Sequence, residues 1–446
     1  MKSNTATQRT AAVCALAGLT AAAGVVPAEA QRIPLIRDSE IERLLSDYAK
    51  PIFSAAGLGG GRVSIRIVRS SIFNAFVVDG RNVYIHTGAL LQSQTPNQII
   101  GVIAHEAGHI AGGHMAALRS RIQRDQTRML LVRILGIGAA IATGNAAAAV
   151  AGDQLVLRSL LAERRSQEAA ADQAGLQYLN ATAQSGRGMV ETFERFAQQE
   201  FISDSYKDPF VRSHPVATKR LSNLRRMVER SPYYNKKDAP GLQLRHDLMR
   251  AKLSGYLDAP RAVMNRYPRS DQSLPAIYAR AIASFFRGGT QGLQRALSQI
   301  DQLIQKRPRY PYFWELKGDL LMRSGRPKEA IPFLQKARAL DPNAPLIKVQ
   351  LASAMLQLND RSKIKPSIKL LRQTLLVDEN PRAYRTLADA FYRQGRQAEA
   401  NAAIAQAAYL GGNLKRAKTF ARRAKPKLKR GSPYWVKMDD ILNAGA

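Results

Sequence analysis

The apolar positions follow two periods in turn. Behind Asp38-Ser39, Ile41, Leu44, Leu45 and Tyr48 recur at helical spacing and predict a capped helix that ends before Pro51. Val63, Ile65 and Ile67 then interleave with Ser64, Arg66 and Val68, the two-residue period of a half-buried strand. Asn74 to Val78, an Asp79-Gly80 turn and Val83-Tyr84-Ile85-His86 continue it, so a small antiparallel sheet is expected. At Thr95-Pro96 the helical period returns, with proline at the first helical position. Ile99, Ile100, Val102, Ile103 and Ala104 form its apolar surface, and Gly112-Gly113 stops it.

Met129 to Val150 turns to Leu and Ile, then to Ala and Gly, with Arg133 the main charge. Arg133 and Asp153 bracket about 19 residues, the margin for a membrane span, while Gly136, Gly138, Gly144 and Asn145 weaken a spanning helix. We read a mobile or membrane-touching hairpin near the active-site cleft, with a plain buried hairpin as the alternative. Leu155 to Asn180 is a second long helix and carries Glu163, Glu168 and Asp172.

The second half repeats itself. Trp314, Gly318, Gly325, Ala330, Ala337 and Pro342 take the large, small, turn, small, small and helix-ending positions of a tetratricopeptide repeat. Tyr384, Ala388, Gly395, Ala400 and Ala407 repeat the scheme, Ala352, Met355, Asn359 and Ser367 give a divergent copy, and Ala296, Leu303 and Pro308 suggest one more. This predicts four hairpins from about Ser273 to Asn413 and a capping helix near Tyr434 to Leu442. Stacked hairpins make a curved surface that binds proteins or peptides.

Composition adds an address. The 446 residues are 45% apolar, enough for sizeable cores, and carry a formal charge of +33. Such charge suits anionic partners, among them a membrane surface, or is simply a basic solvated surface. Lys415 to Lys437 adds a basic cluster without an acid. Lys2 and Arg9, the apolar run Ala11 to Val26 and Ala28-Glu29-Ala30 read as a leader cleaved after Ala30, hence export to the periplasm and no expected nucleic-acid partner. The single cysteine, Cys14, lies inside that leader.

Candidate chemistry centres on His105-Glu106-Ala107-Gly108-His109. Histidines four apart on a helix share a face, about 40° from each other, and can bind one zinc ion while Glu106 takes a proton from water. That is the arrangement of a zinc peptidase. Two histidines need a third protein ligand. His114 falls one residue short of the long three-histidine pattern, and on a continuing helix is rotated about 140° from His109. Glu168 is the natural third, although acids amid arginines usually mark a solvated face. Glu168 and Asp172, four apart, can divide the work of ligating the metal and orienting a ligand histidine.

The order Asn74-Ala75-Phe76, HEAGH, Glu168 to Asp172, then Ser213-His214-Pro215 with Arg220 resembles the peptidase family of the CAAX prenyl endopeptidase and the heat-shock protease HtpX. Ile36 to Glu42 and His246 to Leu253 look like its soluble periplasmic branch, which pairs a leader with a repeat domain. The resemblance covers residues 35 to 255 by motif and the rest by architecture. It implies one zinc per chain on His105, His109 and Glu168, Glu106 as general base, and Asp172 behind a ligand. It also implies that His214 either stabilises the oxyanion or occupies the open metal position. Arg220 is a second candidate for the oxyanion. Asn74, Ala75 and Phe76 are the candidate edge that pairs with an extended substrate. Alanines at 170 and 171 depart from the commoner pattern, where a glutamate often precedes Ala-Asp.

The expected fold is therefore α+β and mostly helical. A zincin-like metalloprotease domain (31–260, with the apolar hairpin at 129–152) follows the leader (1–30) and precedes an all-α repeat solenoid (261–446). The expected function is an exported zinc endopeptidase acting on misfolded or misassembled envelope and outer-membrane proteins. Its repeats would bind substrate or the outer-membrane assembly machinery. A periplasmic chaperone or scaffold with a largely latent site is the alternative.

Overall fold

Two neighbouring strand pairs and a buried helix fix the geometry of the first half. In the computed structural model, residues 33–61, 63–121, 123–124, 148–197, 210, 213–215 and 218–445 are described, with the main chain alone for 148–158 and 160. The leader, with Cys14, and residues 129–147 of the apolar stretch lie outside them. Among the described residues no helix is long and apolar enough to cross a membrane.

The sheet has the order β1-β2-β4-β3, from β1 (Leu35–Ile36), β2 (Ser64–Val68), β3 (Ala75–Val77) and β4 (Asn82–His86). The expected antiparallel pairing is found at β1·β2 and β3·β4, but β2 and β4 run parallel, with Ile65 opposite Val83 and Ile67 opposite Ile85. The turn at Asp79-Gly80 explains this. Asp79 Oδ1 accepts from the main-chain N–H of Arg81 and Asn82, which folds β4 back tightly. The hairpin then inserts β4 between β2 and β3, and β3 is left as a terminal strand.

Helix α1 (Ser39–Ala55) packs under the sheet through Ile41, Leu44, Leu45 and Tyr48. Asp38 caps it, accepting from Ile41 N at 3.0 Å. Contrary to expectation the helix continues through Pro51. Proline removes one hydrogen bond there, but burial of Ile52 and Phe53 directly after it holds the helix together. After α2 (Thr87–Gln92), α3 (Pro96–Ala111) is buried from Pro96 through His109, a helix inside the core.

Helix α4 (Ala148–Ala181) lies against α3. Small residues set the spacing. A Cβ added at Gly108 would stand 2.7 Å from the Ala171 carbonyl oxygen, and one at Gly175 would stand 3.1 Å from His105 N. The alanine at 171, fully buried, belongs to the same contact. This close approach brings the acids of α4 over the histidines of α3. Helices α5 (Arg187–Ala197), α6 (Thr218–Glu229) and α7 (Pro240–Leu257) complete this half.

Beyond α8 (Pro260–Arg266), four helical hairpins follow: α9 (Leu274–Phe286) with α10 (Gly289–Lys306), α11 (Pro311–Arg323) with α12 (Pro327–Leu340), α13 (Pro345–Gln357) with α14 (Ile364–Leu375), and α15 (Pro381–Arg393) with α16 (Gln397–Leu410). Gly325 and Gly395 turn their hairpins with φ of 71° and 73°, and Asn359 takes the same left-handed conformation, φ 56°, in the divergent copy. Helices α17 (Leu414–Ala424) and α18 (Pro433–Asn443) close the stack.

Leu35 to Ala446 forms one compact unit, joined by a buried polar knot. Lys252 of α7 places Nζ 2.7 Å from Asp38 Oδ2 and 3.2 Å from Glu40 Oε2. Glu40 also accepts from the hydroxyls of Tyr278 (2.7 Å) and Tyr310 (2.6 Å) in the repeats. Alongside, Arg37 bridges Glu42 and Asp378.

Candidate metal centre

Four donor residues converge at one point. His105 Nε2 lies 3.1 Å from His109 Nε2 and 3.1 Å from His214 Nδ1, and 3.4 Å from Glu168 Oε2. Glu168 Oε1 is 3.4 Å from His109 Nε2, and its Oε2 is 3.3 Å from His214 Nδ1. All four residues are buried, and their donor atoms lie within 4.8 Å of one another. Ligands about 2.0–2.1 Å from a tetrahedral ion stand about 3.3 Å apart. The set therefore fits a divalent ion without rearrangement.

The hydrogen bonds around the donors select the fitting tautomers. A carboxylate only accepts, so His105 Nδ1 donates to Asp172 Oδ1 (3.0 Å) and Nε2 keeps its lone pair. A carbonyl only accepts, so His214 Nε2 donates to Ala75 O (3.2 Å) and Nδ1 keeps its own. His109 Nδ1 meets His114 Nδ1 at 2.9 Å, away from the convergence point. His114 lies outside the cluster and meets His109 from behind.

Electrostatics keep the acids charged. Burial works to raise Glu168, yet the imidazoles of His214, His105 and His109 around it hold it well below the usual carboxylate range. Burial raises Asp172 likewise, and Arg220 and His105 together lower it. His105 would be lowered by burial, but Asp172 and Glu168 raise it to about 9, so an ion bound at Nε2 would take the place of a proton there.

Arg220 lies against both acids. Nε and Nη2 donate to Asp172, at 2.5 and 2.7 Å. Nη1 stands 2.9 Å from Glu168 Oε2 and donates to Pro215 O at 3.0 Å. Every guanidinium nitrogen thus contacts one of the two acids or the Pro215 carbonyl. Phe193, 4.8 Å beneath the guanidinium, and Phe210, 5.1 Å from the His214 ring, were not singled out from the sequence. Their only signal is the apolar spacing common to any core.

Glu106 is buried, and its Oε1 makes no hydrogen bond with a described residue. It lies 3.3 Å from His214 Nε2, close but poorly aligned. A buried carboxylate oxygen left open beside a donor cluster suits a base that handles a water proton. The candidate substrate strand lies at the same place. Terminal strand β3 carries Ala75 and Phe76, Phe76 stacks on Tyr84 at 5.2 Å, and Asn74 Oδ1 accepts from Ser213 Oγ at 3.3 Å.

Comparison with known proteins settles the type of domain. Residues 36–228 match the profile of peptidase family M48, and residues 288–345 match the tetratricopeptide repeat. Residues 36–228 are a peptidase family M48 domain. The chain is thus a metalloprotease with a repeat domain behind it. It is 23% identical to a beta-barrel assembly-enhancing protease of Yersinia pestis over 433 residues, covering 91% of this chain and 83% of that one. With the protein of the same name from Escherichia coli (strain K12) it shares 24% over 424 residues, again 91% and 83%. The metalloprotease LoiP of Escherichia coli (strain K12) is 26% identical over 189 residues, 40% of this chain and 70% of its own, so that likeness covers a smaller part of the chain. The M48 domain begins at β1 and ends within α6, so the four donors, Glu106, Asp172 and Arg220 all lie inside it.

Proposed function

We propose that the chain is an exported zinc endopeptidase that removes misfolded or misassembled outer-membrane proteins in the periplasm. The observation that carries the reading is the convergence of His105, His109, Glu168 and His214 beside the open oxygen of Glu106. Zinc suits three nitrogens and a carboxylate in a tetrahedron, and when bound it supplies Lewis acidity to the scissile carbonyl and to water. His105, His109 and Glu168 would hold it. Glu106 takes the proton of the attacking water and passes it to the leaving amine. Asp172, fixed by Arg220, keeps His105 in the ligating tautomer. Terminal strand β3 holds the extended substrate by main-chain pairing. The relatives' names support envelope β-barrel proteins as substrates, and the leader supports export. The repeats would recruit those substrates or the assembly machinery.

His214 gives the proposal a resting state. Its Nδ1 takes the fourth corner of the donor set, while its Nε2 takes the Ala75 carbonyl on the exposed side of β3. One side chain thus covers both the place of the attacking water and a pairing group of the substrate strand. When it swings away both are released, and its N–H becomes available for the oxyanion. This same contact favours a second reading, a chaperone with a latent site.

The test is cleavage of an unfolded outer-membrane β-barrel protein by wild type, Glu106→Gln and His214→Ala, with and without zinc. Glu106→Gln is expected to lose about 10²–10⁴-fold in rate while still binding zinc. Faster cleavage by His214→Ala supports the latch. Substrate binding by all three without zinc-dependent cleavage in any would establish the chaperone reading instead.

A further inference from the structure

The repeat domain contains a cationic cavity far in sequence from the M48 site. It has a volume of about 690 Å³ and opens between α9 and α10. Arg269, Arg280, Arg287 and Arg295 line it, and no carboxylate does. None of the four forms an ion pair with a described residue. Around them stand Gln272, Gln291, Gln294, Gln299, Gln302, Ser284 and Ser298, and Met264 is the one large apolar residue.

Arg280 is the unusual member. Only 4% of it is exposed, yet no carboxylate neutralises it directly. Its Nη1 donates to the carbonyls of Tyr267 (3.3 Å), Pro268 (2.6 Å) and Asp271 (2.7 Å), which fixes the side chain. Nε and Nη2 have no acceptor among the described residues, which leaves part of the fork for a ligand. Burial lowers its pKa, Asp271 counteracts this, and Arg269 adds to it. An arginine buried without its own counterion is costly, and it is commonly kept where a ligand brings the charge.

The start of α10 reinforces this. Gly288 and Gly289 lead into an 18-residue helix with φ of 83° and 71°, and no side chain caps it. A Cβ at either glycine would meet nothing within 4 Å. The start of α10, with the positive end of its dipole, lies at the cavity wall beside the arginines.

We propose that this cavity binds a phosphorylated sugar or polyol. Four cations call for more than one negative charge. Amide and hydroxyl side chains suit a ligand dense in hydroxyl groups, and the volume is that of a headgroup rather than of a single phosphate ion. An acidic peptide would also bring apolar side chains, for which Met264 is the one large apolar residue in the lining. The ligand can be soluble or borne on a lipid, and the two sources are separable.

The experiment titrates the full-length protein with inositol 1,4-bisphosphate by calorimetry, with inositol and inorganic phosphate as controls. Phosphatidylcholine vesicles with and without phosphatidylinositol 4-phosphate test the lipid-borne form by sedimentation. The variants are Arg287→Glu with Arg295→Glu, both exposed, and Arg280→Gln. Saturable binding of the bisphosphate, weakened at least tenfold by the exposed double variant and by Arg280→Gln, supports the site. Inositol should not bind, and inorganic phosphate should bind more weakly. Vesicle capture stronger than that by the free headgroup assigns the ligand to a lipid surface, and equal strength assigns it to the headgroup alone. Binding unchanged in the double variant, or no binding of either probe, overturns the proposal. Tighter binding of a glutamate-rich peptide, lost in the double variant, would also overturn it, in favour of a protein partner.

Discussion

Lys252 is the residue on which the joint between M48 domain and repeats depends. Replacing it by methionine keeps the stem and removes the ammonium from between Asp38 and Glu40, at 2.7 and 3.2 Å. Glu40, 2% exposed, then holds a carboxylate charge without a cation, supported only by the hydroxyls of Tyr278 and Tyr310. Breaking a buried pair from one side costs about 3–5 kcal/mol, and the two retained hydrogen bonds place this case at about 3 kcal/mol. Adding Glu40→Gln removes the stranded charge and should recover about half. The assay is urea unfolding at pH 7, followed by Trp314 and Trp435, which both lie in the repeat half. The single variant should unfold at lower urea, with the repeat signal separating from the loss of zinc-dependent cleavage. A midpoint within about 0.5 kcal/mol of wild type, with the two signals still coincident, would refute the reasoning.

His246 makes stability depend on pH. Burial lowers it to about 4, where Tyr48 OH and Ser93 Oγ meet its ring at 3.0 and 3.2 Å. Between pH 6.5 and 4 the unfolded chain binds a proton that the folded one refuses, so this contribution is complete above 6.5 and declines as pH falls. Wild type should lose about 2 kcal/mol from pH 7.5 to 5 relative to His246→Gln, and equal losses in urea melts would contradict this. Gly108→Ala puts a Cβ 2.7 Å from the Ala171 carbonyl and must push α4 from α3. We expect about 1–3 kcal/mol of lost stability and at least tenfold weaker retention of the divalent metal by metal analysis; unchanged metal content would show that the helix spacing does not position Glu168.

Much of the M48 domain was legible because its signals are local. The period of α3, its proline start and its glycine stop are all read within some twenty residues, and so were the hairpin turns at Gly325 and Gly395. Strand direction was not, since β2 and β4 are parallel only because the intervening hairpin folds β4 into the gap. Nor did Pro51 end α1, because burial of Ile52 and Phe53 outweighed one missing hydrogen bond. The polar knot was illegible for a different reason. Glu40, Lys252, Tyr278 and Tyr310 each read alone as surface chemistry, and only the tertiary fold buries them together. Runs 36–42 and 246–253 carried a resemblance before they carried an explanation, and the knot now supplies one.

The bond from Arg37 to Asp378 spans 341 positions. A polypeptide is made from its amino end, so Arg37 has to wait for almost the whole chain before its partner exists. Any chain that ends between His214 and Asp378 contains the complete donor set without that tie. The order of manufacture thus makes the junction of the third and fourth hairpins the last part to reach the segment that joins β1 to α1.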